Sequence, residues 1–245
     1  MMSTKPSIRL NVLANDVANA VQITKATNGL AYIGIMVKNY ADVESAVSVV
    51  EEYRQAGVAV SVGLGAGDPS QWRKVALVAA RTKAPHVNQV LPAAGYTLGL
   101  LEGAGCKDVI VNALISPGGT PGKVNIFTGP HSQPQQELVS CEAAAALLQD
   151  IGIKSVKFYP INGDQRLDEL AAMVKASVKC GITVFEPTGG IDARTVHRVV
   201  TTCLENGAQL VIPHIYTAFV DKATGQTSAD AAARLIESLA RLTDG

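Results

Sequence analysis

The feature that most constrains this chain is the regular alternation of short apolar segments with amphipathic helical segments from end to end. The apolar segments are rich in β-branched residues and show little alternation with polar ones, as is typical of parallel strands buried on both faces. The helical segments repeat apolar residues at i, i+3, i+4 and i+7, which gives each helix one buried face. The sequence therefore predicts repeated βα units.

We count eight such units in 245 residues, which predicts an α/β fold, a single (β/α)₈ TIM barrel over residues 1–245. The alternative is a doubly wound open sheet, but no GxGxxG dinucleotide motif follows the first strand-like segment. Hydrophobic residues make up 47% of the chain and charged residues 17%, so the composition is that of a packed globular protein. The closed barrel is favoured over the open sheet.

One connection is much longer than the others. Residues 116–136 follow the fifth predicted strand and are rich in proline and glycine. They lie on the face of the barrel where active sites form. Connections of this length are usually either functional lids or disordered segments, and the sequence leaves both readings open.

Charge and cysteine usage limit the partners and the location. Lys plus Arg and Asp plus Glu number 21 each, so no nucleic-acid partner is predicted, whereas a small anion can still bind a local cationic pocket. The sequence shows no signal peptide and no apolar run long enough to span a membrane. The four cysteines are scattered, as in a reducing compartment. We therefore expect a cytoplasmic protein. We also expect a homo-oligomer, because small barrel enzymes frequently form homo-oligomers.

Lys157 is the most informative single residue, because it interrupts an otherwise apolar predicted strand. Lysine is rarely buried without a purpose, and burial lowers the pKa of its amine. A neutral amine is a nucleophile toward carbonyl groups. The alternative is that Lys157 lies at a strand end and reaches solvent. Lys154 is interpreted as a solvated surface residue.

A second candidate segment, residues 185–192, ends the seventh predicted strand and opens a helix. Its Thr188-Gly189-Gly190 stretch lets the backbone approach a ligand closely, and Asp192 is predicted to cap the helix that follows. Barrels often bind phosphate after strands seven and eight. The segment predicts an anion site, although a tight turn alone would explain the glycines.

Together these segments resemble a known family. Val156-Lys157-Phe158-Tyr159-Pro160 is similar to the segment around the Schiff-base lysine of 2-keto-3-deoxy-6-phosphogluconate (KDPG) aldolases. Residues 185–191 resemble their phosphate-side loop, Pro-Thr-Gly-Gly-Ile. Over the whole chain, including residues 112–119 and 213–216, the sequence looks like the KDPG aldolases of D-glucosaminate degradation, also labelled 4-hydroxy-2-oxoglutarate aldolases. The resemblance implies the Schiff-base role for Lys157 and substrate-anion binding for Thr188, Gly189 and Gly190.

The chain departs from the common KDPG aldolase pattern in its second strand, residues 30–38, which carries no glutamate general base. Glu186 is the candidate replacement, because it lies two residues before Thr188 and so on the same side of the strand. A structural ion pair inside the barrel is the alternative for Glu186. Lys38 ends the second strand and is a candidate for binding the substrate carboxylate.

The other candidates rest on position alone. Asn112 ends the fifth strand and His214 follows the eighth, so both are predicted to bind substrate, although each could hydrogen-bond a loop instead. Weaker candidates on the same face or in the barrel interior are Asp68, His86, Asn88 and Tyr216. His131 and His197 are interpreted as loop and helix-surface residues.

The function predicted is a class I aldolase, a carbon–carbon lyase. It would cleave KDPG into pyruvate and glyceraldehyde 3-phosphate, or a related 4-hydroxy-2-oxo acid into pyruvate and an aldehyde. No cofactor and no metal are predicted, because the histidines and cysteines show no ligand spacing. The alternative is a divalent-metal site whose ligands converge from separate strands. The rival hypotheses are a phosphosugar epimerase or isomerase and a non-catalytic sugar-phosphate-binding barrel.

Overall fold

The computed structural model describes residues 5–243, which form a closed parallel barrel surrounded by helices. The strands are β1 (Ser7–Ile8), β2 (Leu10–Val12), β3 (Ala31–Met36), β4 (Val60–Gly63), β5 (His86–Val90), β6 (Ile110–Pro117), β7 (Lys123–Asn125), β8 (Val139–Ser140), β9 (Ser155–Phe158), β10 (Val184–Pro187) and β11 (Leu210–Val211). The helices are α1 (Val17–Ala26), α2 (Val43–Gln55), α3 (Trp72–Thr82), α4 (Leu91–Gly103), α5 (Cys141–Asp150), α6 (Leu167–Lys179), α7 (Val196–Glu205) and α8 (Ala229–Ala240).

The strand order closes the barrel. Neighbouring strands pair in the order β1-β11-β10-β9-β6-β5-β4-β3-β2, and every one of these pairs is parallel. Only Arg9 separates β1 from β2, so these two segments are halves of one strand that pairs on both sides. The result is a ring of eight strand positions, and the predicted TIM barrel is confirmed.

Alternation along each strand divides its side chains between two environments. In β9, Val156 and Phe158 are fully buried in the apolar core, while Ser155 and Lys157 bond to side chains from other strands. The helices cover the outside of the ring with apolar faces such as Leu170, Met173 and Val174 of α6. The apolar core therefore lies between barrel and helices, and polar groups collect inside the ring.

The long connection is partly ordered as strands. β7 pairs antiparallel with the end of β6, at Ser116–Asn125 and Pro117–Val124, and then with β8. Val124 is fully buried. The Gly119 N–H donates to the Glu169 carboxylate on α6 at 2.7 Å. This excursion forms a small sheet beside the barrel mouth.

Several sequence-predicted boundaries were wrong. The sequence pattern predicts that the helix after the fourth barrel strand starts near Tyr96, but helix α4 begins at Leu91, directly after β5, because Leu91-Pro92 forms its first turn. The sequence pattern predicts the seventh barrel strand over 182–185, whereas this strand, β10, runs over 184–187. Asp192 does not cap α7: the helix begins at Val196, and the Asp192 carboxylate accepts the N–H groups of Arg194 and Thr195 in the turn before it.

Candidate active site

A layer of polar side chains fills the upper interior of the barrel. They come from six strand positions and the residues after β11, and each is buried: Asn11, Ser61, His86, Asn88, Asn112, Ser155, Lys157, Glu186 and His214. Buried polar groups are costly unless they are hydrogen-bonded, so a layer of this size depends on mutual satisfaction. The two formal charges in it are the Lys157 amine and the Glu186 carboxylate, whose residues are register partners on β9 and β10.

Lys157 points into this layer and is only 9% exposed. Its Nζ donates to Asn88 Oδ1 at 3.0 Å and lies 3.3 Å from His214 Nδ1. Burial lowers the pKa of the Lys157 amine to about 8, against the opposing effect of the Glu186 charge. The reading in which Lys157 reaches bulk solvent is therefore wrong, and a useful fraction of the amine is neutral near neutral pH.

Glu186 is fully buried, and both of its oxygens are occupied. Oε1 accepts from the Ser155 hydroxyl at 2.7 Å; Oε2 accepts from Asn112 Nδ2 at 2.7 Å and His214 Nε2 at 2.8 Å. His86 Nε2 also lies 3.0 Å from Oε2. Burial would raise the pKa of Glu186, but the His86 and His214 imidazoles outweigh it and hold the pKa below its ordinary range. Glu186 is therefore an anion that accepts hydrogen bonds.

An ionised Glu186 fixes the form of His214. Because a carboxylate only accepts hydrogen bonds, the hydrogen on His214 must be on Nε2, 2.8 Å from Glu186. The unprotonated Nδ1 then presents its lone pair to Lys157 Nζ and to the Tyr216 hydroxyl, 3.0 Å away. Burial, and next the charge of Lys157, lower the pKa of His214 to about 3, so the imidazole is neutral at rest.

A cavity of about 430 Å³ opens above this layer at the carboxyl ends of the strands, a size suited to a small-molecule ligand. The predicted site residues that line it are Lys38, Lys157, Thr188, Gly189, Gly190 and His214. Tyr159 and Tyr216 add aromatic walls. Glu186 and Asn112 are not among the lining residues. They lie below the floor, where Asn112 donates to Glu186 and Asn88.

The Thr188-Gly189-Gly190 segment forms one wall of the cavity. Gly189 and Gly190 adopt φ values of +107° and +69°, which disfavour other residues. A Cβ on Gly190 would lie 3.0 Å from the Gly163 backbone nitrogen. The packing of the two loops therefore explains the glycines, as the turn hypothesis expected. Their position on the cavity is what supports the predicted anion site.

Lys38 approaches from the opposite side, in a short 3₁₀ turn after β3. Its aliphatic chain lies over Gly65, where an added Cβ would be 2.5 Å from Lys38 Cδ. Gly65 thus leaves room for the lysine to extend over the cavity mouth. The cavity therefore has one amine in its floor and another at its rim.

The remaining candidates lie away from the polar layer. Asp68 caps the short turn after the Gly63–Gly67 loop, bonded to Ser70, and His197 contacts Ser238 outside the barrel. His131 is exposed in the connection after β7. Asn11, Ser61 and Ser155 were missed by the sequence reasoning; their signal was a polar residue within an apolar strand. Among residues 5–243, no cluster of His, Cys, Asp and Glu is arranged to hold a metal ion.

These features define a class: a TIM-barrel protein whose buried, partly neutral lysine amine faces a ligand-sized cavity. The family model of the KDGP aldolases matches residues 4–223, nearly the whole chain. The chain belongs to the KDGP aldolase family and is thus an aldehyde-lyase.

Similar proteins agree with this assignment. A 2-dehydro-3-deoxy-phosphogluconate aldolase of Salmonella typhimurium is 42% identical over 231 residues, covering 94% of each chain. A mutant tryptophan synthase α-subunit from Pyrococcus furiosus superposes with a TM-score of 0.62 at 14% identity, over 97% of this chain and 99% of its own. A native KDPGal structure superposes with a TM-score of 0.55 at 12% sequence identity, over 99% of this chain and 96% of its own. At such identities the two structures support the fold alone. No helix within residues 5–243 is long and apolar enough to cross a membrane.

Proposed function

We propose that this chain, as one barrel domain over residues 1–245, cleaves 2-dehydro-3-deoxy-6-phosphogluconate to pyruvate and glyceraldehyde 3-phosphate through an imine on Lys157. One observation carries the proposal: the Lys157 amine, with its pKa lowered to about 8, faces the cavity of a family aldolase. A related 4-hydroxy-2-oxo acid with the same pyruvate unit would react in the same way.

The chemistry follows from the amine. Neutral Lys157 attacks the C2 carbonyl carbon, and loss of water leaves a protonated imine. The imine accepts the electron pair of the C3–C4 bond when that bond breaks, so the pyruvate unit becomes an enamine. Protonation at C3 and hydrolysis release pyruvate. The barrel contributes orientation of the substrate and a buried position, poorly solvated by water, that favours the neutral amine.

The substrate carries two anionic groups, and the cavity offers two regions to bind them. Thr188, Gly189 and Gly190 are proposed to bind one, through the backbone N–H groups of the two glycines and through the Thr188 hydroxyl, which would exchange its hydrogen bond to the Glu186 carbonyl for one to the anion. Lys38 supplies a cation across the mouth. His214 lines the floor next to Lys157, whereas Asn112 is proposed to act indirectly, because it holds Asn88 and Glu186 from below.

Assembly and location remain predictions. We expect a homo-oligomer, which light scattering of the purified protein would check. The proposed compartment is the cytoplasm; the four cysteines, all free in the structure, are compatible with a reducing environment.

The decisive experiment is reductive trapping. The protein is incubated with pyruvate and borohydride, and the added mass is located by peptide mass spectrometry. We expect a reduced pyruvyl adduct on Lys157. The control variant Lys154→Arg alters an exposed lysine directly before β9 and should be labelled normally on Lys157.

A second arm uses Lys157→Met, which removes the amine. Cleavage of KDPG should fall to background in this variant. An unlabelled Lys157 in the parent protein, under conditions that label a known Schiff-base aldolase, would contradict the proposal. Retention of turnover by Lys157→Met would favour an epimerase- or isomerase-like reaction that needs no imine.

A further inference from the structure

Three groups follow one another from beneath the cavity floor up to the cavity: Glu186, His214 and Lys157. Glu186 Oε2 lies 2.8 Å from His214 Nε2, and His214 Nδ1 lies 3.3 Å from Lys157 Nζ. The carboxylate is sealed below the floor, while the imidazole and the amine both line the cavity. The arrangement has the order of a catalytic triad, with lysine in the place of the nucleophilic hydroxyl.

The short hydrogen bonds around these groups allow one consistent assignment, in which the 3.4 Å contact between Asn11 Nδ2 and His214 Nε2 is not a hydrogen bond. The Gln89 N–H donates to Asn112 Oδ1, which leaves Asn112 Nδ2 to donate to Asn88 Oδ1 and Glu186 Oε2. Asn88 Oδ1 therefore faces the Lys157 amine as an acceptor. Glu186 takes the Nε2 hydrogen of His214, so His214 Nδ1 is left as a lone pair beside the nucleophile.

The composition of the cavity makes that lone pair important. No aspartate or glutamate is among the described residues that line it. Burial raises the pKa of the Tyr216 phenol, so this hydroxyl keeps its proton and hydrogen-bonds to His214 Nδ1. An aldolase reaction needs a group that takes a proton from the C4 hydroxyl and returns one to C3. Glu186, with both oxygens bonded beneath the floor, does not reach either atom.

We propose that His214 is the proton carrier of the reaction and that Glu186 is its positioning residue, holding the Nε2–H form and stabilising the imidazolium. The inference rests on the proposed Lys157 imine chemistry and deepens it. In this arrangement Glu186 acts through His214, which takes the place of the glutamate base missing from β3.

Imine formation then balances as follows. The Lys157 ammonium passes one proton to His214 Nδ1, and the freed amine forms the N–C2 bond while the carbonyl π pair moves to oxygen. His214 returns its proton to that oxygen and takes the second proton from the new ammonium nitrogen. It finally protonates the hydroxyl, which leaves as water. The products are a protonated imine, one water and a neutral His214.

Cleavage of the C3–C4 bond uses the same nitrogen atom, His214 Nδ1. Neutral His214 Nδ1 takes the C4 hydroxyl proton, the C4–O bond becomes a carbonyl, and the C3–C4 pair moves into the enamine. After the aldehyde leaves, the imidazolium gives its proton to C3, which restores the protonated imine and the neutral imidazole. Water then attacks C2 to release pyruvate. Every proton that leaves the substrate in cleavage returns to its pyruvate half.

The test separates the presence of the imine, which trapping detects, from proton transfer at C3, which exchange measures. Exchange of the pyruvate methyl hydrogens in D₂O, followed by NMR, requires both the imine on Lys157 and a base that acts on C3. Wild type, His214→Ala and His214→Asn are compared by exchange and by borohydride trapping, with His197→Ala as a histidine control outside the barrel. Circular dichroism checks that each variant is folded.

We expect exchange in His214→Ala to fall by about 100-fold or more, the usual contribution of a general acid–base group, while trapping on Lys157 at high pyruvate persists. Because His214 lines the cavity, added imidazole should restore part of the lost exchange in His214→Ala. A purely structural histidine would show no such rescue. His214→Asn, which keeps a polar side chain at the floor, should be equally slow.

The outcomes are distinguishable. Absence of trapping and exchange in wild type would contradict the proposed function itself. Normal trapping in wild type, with exchange in folded His214→Asn within about threefold of wild type, would overturn only the role of His214. For Glu186, Glu186→Gln should slow exchange more than trapping, and Glu186→Asp should recover part of the rate. Equal exchange in Glu186→Gln and wild type would overturn the positioning role.

Discussion

At the scale of single residues, the site depends on placing one amine where water solvates it poorly. Lys157 is 9% exposed, and its hydrogen-bond partners within the barrel are the uncharged Asn88 and His214. The Glu186 carboxylate on the neighbouring strand offsets only part of the burial effect on the pKa. The balance lets the chain fold with Lys157 buried and leaves its amine reactive.

This balance predicts a titration. Burial lowers the pKa of Lys157 from 10.5 to about 8, so the amine should lose its proton on raising the pH through 8, when ordinary lysines remain charged. An NMR titration of ¹³Cε-labelled lysine, assigned with Lys157→Arg, checks this. Titration of every lysine signal near pH 10.4 would contradict the burial seen for Lys157.

The position of Lys38 at the cavity rim predicts that it contributes to substrate binding. Lys38→Gln removes a cation at the cavity rim without touching the floor. We expect KM for KDPG to rise about tenfold with kcat within about twofold, because a hydrogen bond to a charged group is lost equally in the ground and transition states. Lys154→Gln is the matched control. A kcat loss larger than the KM change would place Lys38 in the chemical step.

At the scale of elements, β5 runs directly into α4, and the long connection returns over this junction. The Leu91 N–H, in the first turn of α4, donates to Thr128 Oγ1, which donates to the Leu114 carbonyl of β6. Thr128 is buried, although its segment carries no regular structure. A single hydroxyl thus joins the connection, a helix start and a barrel strand.

Thr128→Val tests this junction. The substitution keeps the volume but leaves a buried N–H and a carbonyl without their partner, so we expect a loss of about 1–3 kcal/mol of unfolding free energy. Thr128→Ser keeps the hydroxyl and should lose less. Urea unfolding of both variants measures the difference. Equal stability of Thr128→Val and wild type would show that water satisfies both groups.

At the scale of the whole molecule, the polar barrel interior ties stability to pH. The folded pKa of His214 is about 3, below its unfolded value of about 6.5, and that of Glu186 is also depressed. Between the folded and unfolded pKa values of each group the unfolded chain binds more protons than the folded one, so the stability that these two groups contribute is complete above about pH 6.5 and is lost as the pH falls. These two groups therefore make the folded barrel more stable at neutral pH than at acidic pH.

We expect the unfolding free energy to decrease from about pH 6.5 downward, with a slope approaching about 1.4 kcal/mol per pH unit for one proton. Urea denaturation at successive pH values measures it. His214→Asn should show a shallower slope between pH 6.5 and 4.5, since the titrating imidazole is gone. An identical slope in both proteins would assign the acid sensitivity to other groups.

The sequence by itself determined the repeated βα pattern and the barrel, and it singled out the lysine to which we assign the chemistry. The pattern and the barrel follow from local periodicity, and Lys157 stands out as one charged residue in an apolar strand; both are readable along the chain. The Schiff-base role of Lys157 comes from the family resemblance. The tertiary structure decided what surrounds that lysine. Glu186 is 29 residues from Lys157 and His214 is 57, and only closure of the ring places one below the floor and the other at the amine. Hydrogen-bond partners across a barrel depend on strand register and on which side chains share its interior, and neither has a signal in the local sequence.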